Sequence, residues 1–143
     1  MTKISLKTMA RDKIPSQRAS RAGAALAELA VSLPFLLAMA FGTIEATNAV
    51  FVQRSLVAAA YEGGNVASAI GGTSTVAIQR AGVVSSLFGV KSVTVTVSPA
   101  VTTNTPTGTQ ITVTCSTTLS NNTVTGWCIA NRTLTATYTV IHL

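Results

Sequence analysis

The sequence predicts an α+β fold: one long N-terminal helix, transmembrane at its start and amphipathic beyond, followed by a small three-stranded antiparallel sheet head. Three observations carry this. Residues 24–44, AALAELAVSLPFLLAMAFGTI, hold a single charge, Glu28, in 21 positions. Apolar residues then recur in steps of three and four as far as Ile70, and after Lys91 the period changes to two. A chain of 143 residues has room for one small domain beside such a helix. The expected regions are a basic arm at 1–23, a membrane-spanning and extended helix at 24–70, and a head at 71–143.

The arm carries Lys3, Lys7, Arg11, Lys13, Arg18 and Arg21 against Asp12, a net +5 of the chain's +6. The rest of the chain is nearly neutral, so the basicity is a terminal extension and not a binding face. Readers of DNA or RNA need cations and stacking aromatics on the folded module, which leaves nucleic acid outside the expected partners.

The apolar run is about 30 Å long at helical rise, the thickness of a bilayer core. A cleaved secretory signal is the alternative, since Ala38-Met39-Ala40 fits a small-x-small site. The run exceeds the usual apolar region of about 7–15 residues, and helical periodicity passes through that site, so a retained membrane helix is expected. Pro34 should kink it, because it lacks a donor and crowds the preceding turn. The cations keep the arm on the cytoplasmic side and place everything after Glu45 outside. Glu45 itself closes the run as an interfacial residue.

Beyond Glu45, the residues Ala49, Val52, Leu56, Ala59, Gly63, Val66 and Ile70 form a helix-packing seam along one face. Its small side chains permit close approach of another element. That element is either the chain's own sheet or a neighbouring subunit. Gly63 and Gly64 each cost a free helix about 1 kcal/mol, which calls for such a contact. Gly71-Gly72-Thr73 should end the helix. A shorter helix is expected over residues 76–90.

The strands read as SVTVTVSP (92–99), QITVTCSTT (110–118) and TLTATYTVIH (133–142), each alternating Thr or Ser with an apolar residue. Turns rich in Asn, Pro, Thr and Gly separate them at 102–108 and 120–126. Cys115 and Cys128, an even pair in an extracytoplasmic tail, suit a disulfide; two buried free thiols are the alternative.

Four acids, one His and two Cys leave little for acid–base, metal or thiol chemistry, so no enzyme activity, cofactor or metal is expected. The glycine pairs Gly63-Gly64 and Gly71-Gly72 do not sit between a strand and a helix in phosphate-binding spacing. His142 lies one residue from the terminus without a credible acid–base partner. Glu28 stands out: a carboxylate at mid-bilayer costs about 2.5 to 3.5 kcal/mol, which asks for a partner, while a position near the helix end would let it snorkel.

Arg21-Ala22-Gly23-Ala24-Ala25-Leu26-Ala27-Glu28-Leu29, the apolar run with Pro34, Gly42 and Glu45, and then Ala58-Ala59-Ala60-Tyr61-Glu62-Gly63-Gly64 resemble the TadE-like minor pilins, or pseudopilins, of the tight-adherence (Flp) type IV pilus system. That family tends to show a basic arm, R-x-G-x-x-x-x-E, a membrane helix with Pro, G-x-x-E and A-A-R-E-G-A, then a Val/Thr-rich sheet. Here Leu29 replaces an aromatic that often follows the Glu, Tyr61 stands where Arg is usual and Gly64 where Ala is usual.

The resemblance implies a pilin-like subunit of the cell envelope. A prepilin peptidase would cut between Gly23 and Ala24, leaving Glu28 as the fifth mature residue, where pilins pair this carboxylate with a neighbouring subunit's terminal amine. An uncut protein would act as a membrane-anchored assembly factor. The expected function is thus structural: a minor pilin or pseudopilin-like assembly protein of an adhesive Tad pilus, a single-pass inner-membrane protein whose partners are the membrane, other pilins and assembly proteins. It would associate as a homo- or hetero-oligomer through the helix. The alternative is a membrane-anchored binding module whose Thr-rich sheet contacts carbohydrate or another envelope component.

Overall fold

A computed structural model describes residues 15–124, 126 and 131–143, with side chains from residue 21 onward. The chain divides into two compact units, Met1–Ala40 and Phe41–Leu143. Helix α1 spans Pro15–Ser68 and carries Pro34 in its interior. It starts with proline, whose fixed φ and missing N–H suit a first helical position, so helix begins nine residues before the expected start at Ala24. The expected arm residues 1–14 lie outside the described residues.

Within unit 2, α1 stops because residues 71 and 72 must be glycine. Gly71 has φ +76°, and a Cβ on Gly72 would press on the Val66 carbonyl and come within 2.8 Å of the Ala69 carbonyl. Helix α2 follows at Ser74–Leu87, overlapping the expected 76–90 segment but starting two residues earlier and ending three residues sooner. Thr73 caps it, its Oγ1 accepting from the Val76 N–H at 3.4 Å.

Strands β1 (Thr94–Ser98), β2 (Gln110–Thr118) and β3 (Thr133–Ile141) form an antiparallel sheet in the order β1-β2-β3. Period-two alternation sorts the faces. Val95, Val97, Ile111, Val113, Cys115, Leu134, Ala136, Tyr138 and Val140 pack inward with the core. The other face carries hydroxyls: Thr94, Ser116 and Thr135 share one row, Thr96, Thr114 and Thr137 the next, and Ser98, Thr112 and Thr139 the third. β-Branched Thr suits a strand while its hydroxyl stays solvated, which explains a Thr-rich sheet without an aromatic core.

The core itself is made of small side chains. Leu56, Ala59, Ala60 and Ala67 of α1 meet Ala77, Ala81 and Val84 of α2 and the inner sheet face. Alanines let the helices lie close, so a head with few aromatics still excludes water from its centre.

Unit 2 has two ends. At one, α1 enters, α2 finishes, β1 begins and β2 ends in the short 3-10 turn Leu119–Asn121. The opposite end gathers the Gly71 turn, the β1–β2 loop and the C-terminus. The Leu143 N–H donates to the Ser68 carbonyl at 2.9 Å, and the Gly108 N–H to the His142 carbonyl at 2.9 Å.

Candidate functional site

One set of candidate residues lies in unit 1. Side chains from Arg21 through Phe41 are solvent-exposed, including Leu26, Leu29, Val31, Leu33, Phe35 and Leu36. This helix is long and apolar enough to cross a membrane. Gly23 and Ala24 fall inside α1, and a Cβ at Gly23 would meet nothing within 4 Å. Glu28 is exposed, and no described residue makes an ion pair or hydrogen bond with it. The Gly23-x4-Glu28 element is thus carried on an open helical surface.

A separate set lies in unit 2 and begins with a difference from expectation. Glu45, expected at a wet interface, is 2% exposed. An acid directly after an apolar run reads as an end marker, yet here the chain already folds over it.

The seam residues seat the chain's own head. Val52 packs with Val90 and Leu119, with Ala49 against the same cluster. Leu56 and Ala59 are fully buried in the main core, and a Cβ on Gly63 would stand 3.1 Å from both the Ala77 carbonyl and the Ala81 Cβ. Val66 is half-buried. Ile70 does not pack within the chain: it is 88% exposed, because α1 has ended at Ser68 and the turn carries it outward. The small-residue face from Ala49 to Gly63 is therefore occupied within the chain.

The AAYEGG stretch does three jobs in that docking. Glu62 pairs with Arg80 of α2, Oε2 accepting from the guanidinium at 3.1 Å. Both partners are substantially exposed, so the pair adds at most about 1 kcal/mol. Gly63 admits α2. Gly64 admits β3: a Cβ there would collide with Tyr138 Cδ1 and sit 2.9 Å from its Cε1. Tyr138 in turn stacks edge-to-face on Tyr61, with centroids 5.1 Å apart. Tyr61 and Gly64, the two positions where this stretch differs from the A-A-R-E-G-A pattern it resembles, thus meet the same ring.

Sequence reasoning missed the polar clamp at the end where α1 enters. The Asn122 side chain accepts from the Lys91 N–H at 2.7 Å and donates to the Lys91 carbonyl and Thr117 Oγ1, each at 3.1 Å. Asn48 of α1 donates to the Asn122 carbonyl at 2.5 Å, and Gln53 donates to the edge carbonyl of Thr135 at 3.0 Å. These contacts join positions far apart in sequence. The one available signal was an Asn in a turn, which any loop could supply. His142 is likewise a structural group, 3% exposed, with Nδ1 3.1 Å from the Ala67 carbonyl.

Cys115 is a buried free thiol on the inner face of β2, and burial pushes its pKa up to about 11. Cys128, its expected partner, lies outside the described residues.

With this geometry in place, the chain can be compared with known proteins. Residues 23–65 fit the family model described as TadE-like protein. Neither a curated protein nor a solved structure matches the chain. The matched stretch covers under half of the chain and leaves out α2 and the sheet. It includes both the open Gly23-x4-Glu28 helix and the AAYEGG docking face. From Gly23 to Asn65, the chain carries the TadE-like pattern.

Proposed function

We propose that the protein is a non-enzymatic minor pilin or pseudopilin-like assembly protein of an adhesive Tad (Flp) pilus. Its α1 helix crosses the inner membrane once, with the arm in the cytoplasm and the sheet head outside. The observation that carries this reading is the division of α1. Its family-matched start exposes an apolar surface with Glu28 upon it, while the small-residue face of the later part is used up by the chain's own head. Contacts with neighbouring pilins therefore fall to the start of the helix. Within a bilayer, Glu28 is costly alone, and a neighbour's terminal amine, freed by a prepilin peptidase between Gly23 and Ala24, offsets that cost.

Deleting the gene and restoring it tests the reading. Surface pili and adhesion should disappear with the deletion and return with the wild-type gene; unchanged piliation in the deletion strain would refute it. Terminal sequencing of the membrane-extracted protein reports the processing step, with Ala24 expected as the first residue.

A further inference from the structure

We propose that the end of unit 2 where α1 enters it is a lipid-binding surface, seated on anionic headgroups with its aromatic pair in the bilayer interface. The proposal rests on reading α1 as a membrane span. Unit 2 begins with Phe41, so its first turn, through Ile44, is the last turn of the apolar run. Whatever medium surrounds that turn continues to the surface next to it.

That surface has the chemistry of an interface. A groove of about 430 Å³ is lined by Thr43, Ile44, Thr47, Asn48, Phe51 and Val124. Phe51 is exposed and packs edge-to-face on exposed Phe88, with centroids 6.4 Å apart. Next to Phe88, Leu87 is 79% exposed at the end of α2, where a soluble helix would carry a polar residue. Aromatic side chains concentrate at membrane interfaces, where an apolar body can sink beneath the headgroups.

Depth and charge agree. Phe51 lies seven residues beyond Ile44, about 10 Å along a helix, and helical side chains lean back toward the N-terminus by part of a turn. Its ring therefore reaches the headgroup layer, which is about 5 to 8 Å thick on each side of the hydrocarbon. Exposed Lys91 and Arg132 flank the same end; the Arg132 carbonyl accepts from the Leu119 N–H at 2.8 Å, which places it beside the end of β2. The only acid near them is the buried Glu45, since Glu62 is held by Arg80 farther along α1 and Glu28 and Asp12 precede unit 2. Two exposed cations without an exposed acid complement anionic lipid.

The test uses the full chain in vesicles of phosphatidylcholine and phosphatidylglycerol, with a fluorescent amino acid in place of Leu87, Asn104 or Leu37 in separate samples. Nitroxide on lipid headgroups and iodide in the water serve as quenchers, with deep acyl-chain nitroxide for position 37. The Leu87 probe should be quenched by the headgroup nitroxide and shielded from iodide, and the Asn104 probe, in the loop at the opposite end, should show the reverse. Replacing Lys91 and Arg132 by Gln should lower the ratio of seated to lifted heads by about fivefold per cation. A Leu87 probe as open to iodide as the Asn104 probe, with the Leu37 probe quenched from within the bilayer, would overturn the proposal and leave the span intact. Shielding of the Leu87 probe from both quenchers would overturn it in favour of a protein partner on that surface. An unquenched Leu37 probe would remove the span and the proposal together.

Discussion

Gly64→Ala should destabilise the head, against the ordinary expectation for a helical glycine. In an open helix the change gains about 1 kcal/mol of propensity. Here the new methyl would occupy space held by Tyr138, with Cε1 2.9 Å away and Cδ1 closer still. Relief requires the ring to move, which breaks its edge-to-face contact with Tyr61 at 5.1 Å. Overpacking of this kind costs about 1 to 3 kcal/mol, so the net effect is a loss of up to about 2 kcal/mol. Removing the ring removes the clash. Gly64→Ala introduced into Tyr138→Ala should therefore stabilise by about 1 kcal/mol, the propensity gain alone. Urea unfolding of the full chain in detergent, followed by near-ultraviolet circular dichroism, gives all four corners of the cycle. Equal stabilisation by Gly64→Ala in both backgrounds would show that Tyr138 does not press on residue 64, and the account of the docking face would fail.

Three other predictions concern the head. Asn122→Ala removes the side chain's bonds to Lys91 and Thr117 and should cost about 1 to 3 kcal/mol in the same urea assay; a change within error would show that the clamp adds nothing. Cys115 should resist alkylation at neutral pH while the head is folded and react after unfolding without reductant. A thiol still blocked after unfolding would mean that it is bridged, as the pairing with Cys128 anticipated. Because the folded thiol holds its proton up to about pH 11 against an ordinary value of 9.0, its effect on stability is constant below about pH 9. Stability should fall as the pH rises from there through 11, and flat stability across that range would argue against the burial.

The parts of the fold visible in the sequence are those set by local periodicity. All three strands lie within their predicted limits, because Thr/Val alternation is a signal each strand carries alone. The seam from Ala49 to Gly63 was visible for the same reason, although periodicity cannot say whether a sheet or a subunit covers it. The helix itself stops at Ser68, short of Ile70, because Gly71 turns the chain by its positive φ, a stop that overrides spacing. Burial of Glu45, the Asn122 clamp and the Tyr138–Gly64 contact depend on residues brought together from separate elements. Of these, Gly64 alone left a trace, as a glycine out of place in a helix.

The central claim is that Glu28 pairs subunits from an exposed helical start, and Glu28→Ala tests it most directly. The change removes a carboxylate from an apolar helix, which eases insertion by up to about 2.5 to 3.5 kcal/mol, so loss of function cannot come from failure to enter the membrane. Surface pili and co-purifying partner pilin are counted together with membrane level and protease resistance of the head. The account predicts loss of pili with normal membrane level and a resistant head. Wild-type piliation and wild-type amounts of partner pilin in the mutant would contradict it and reduce Glu28 to a carboxylate snorkelling at the interface.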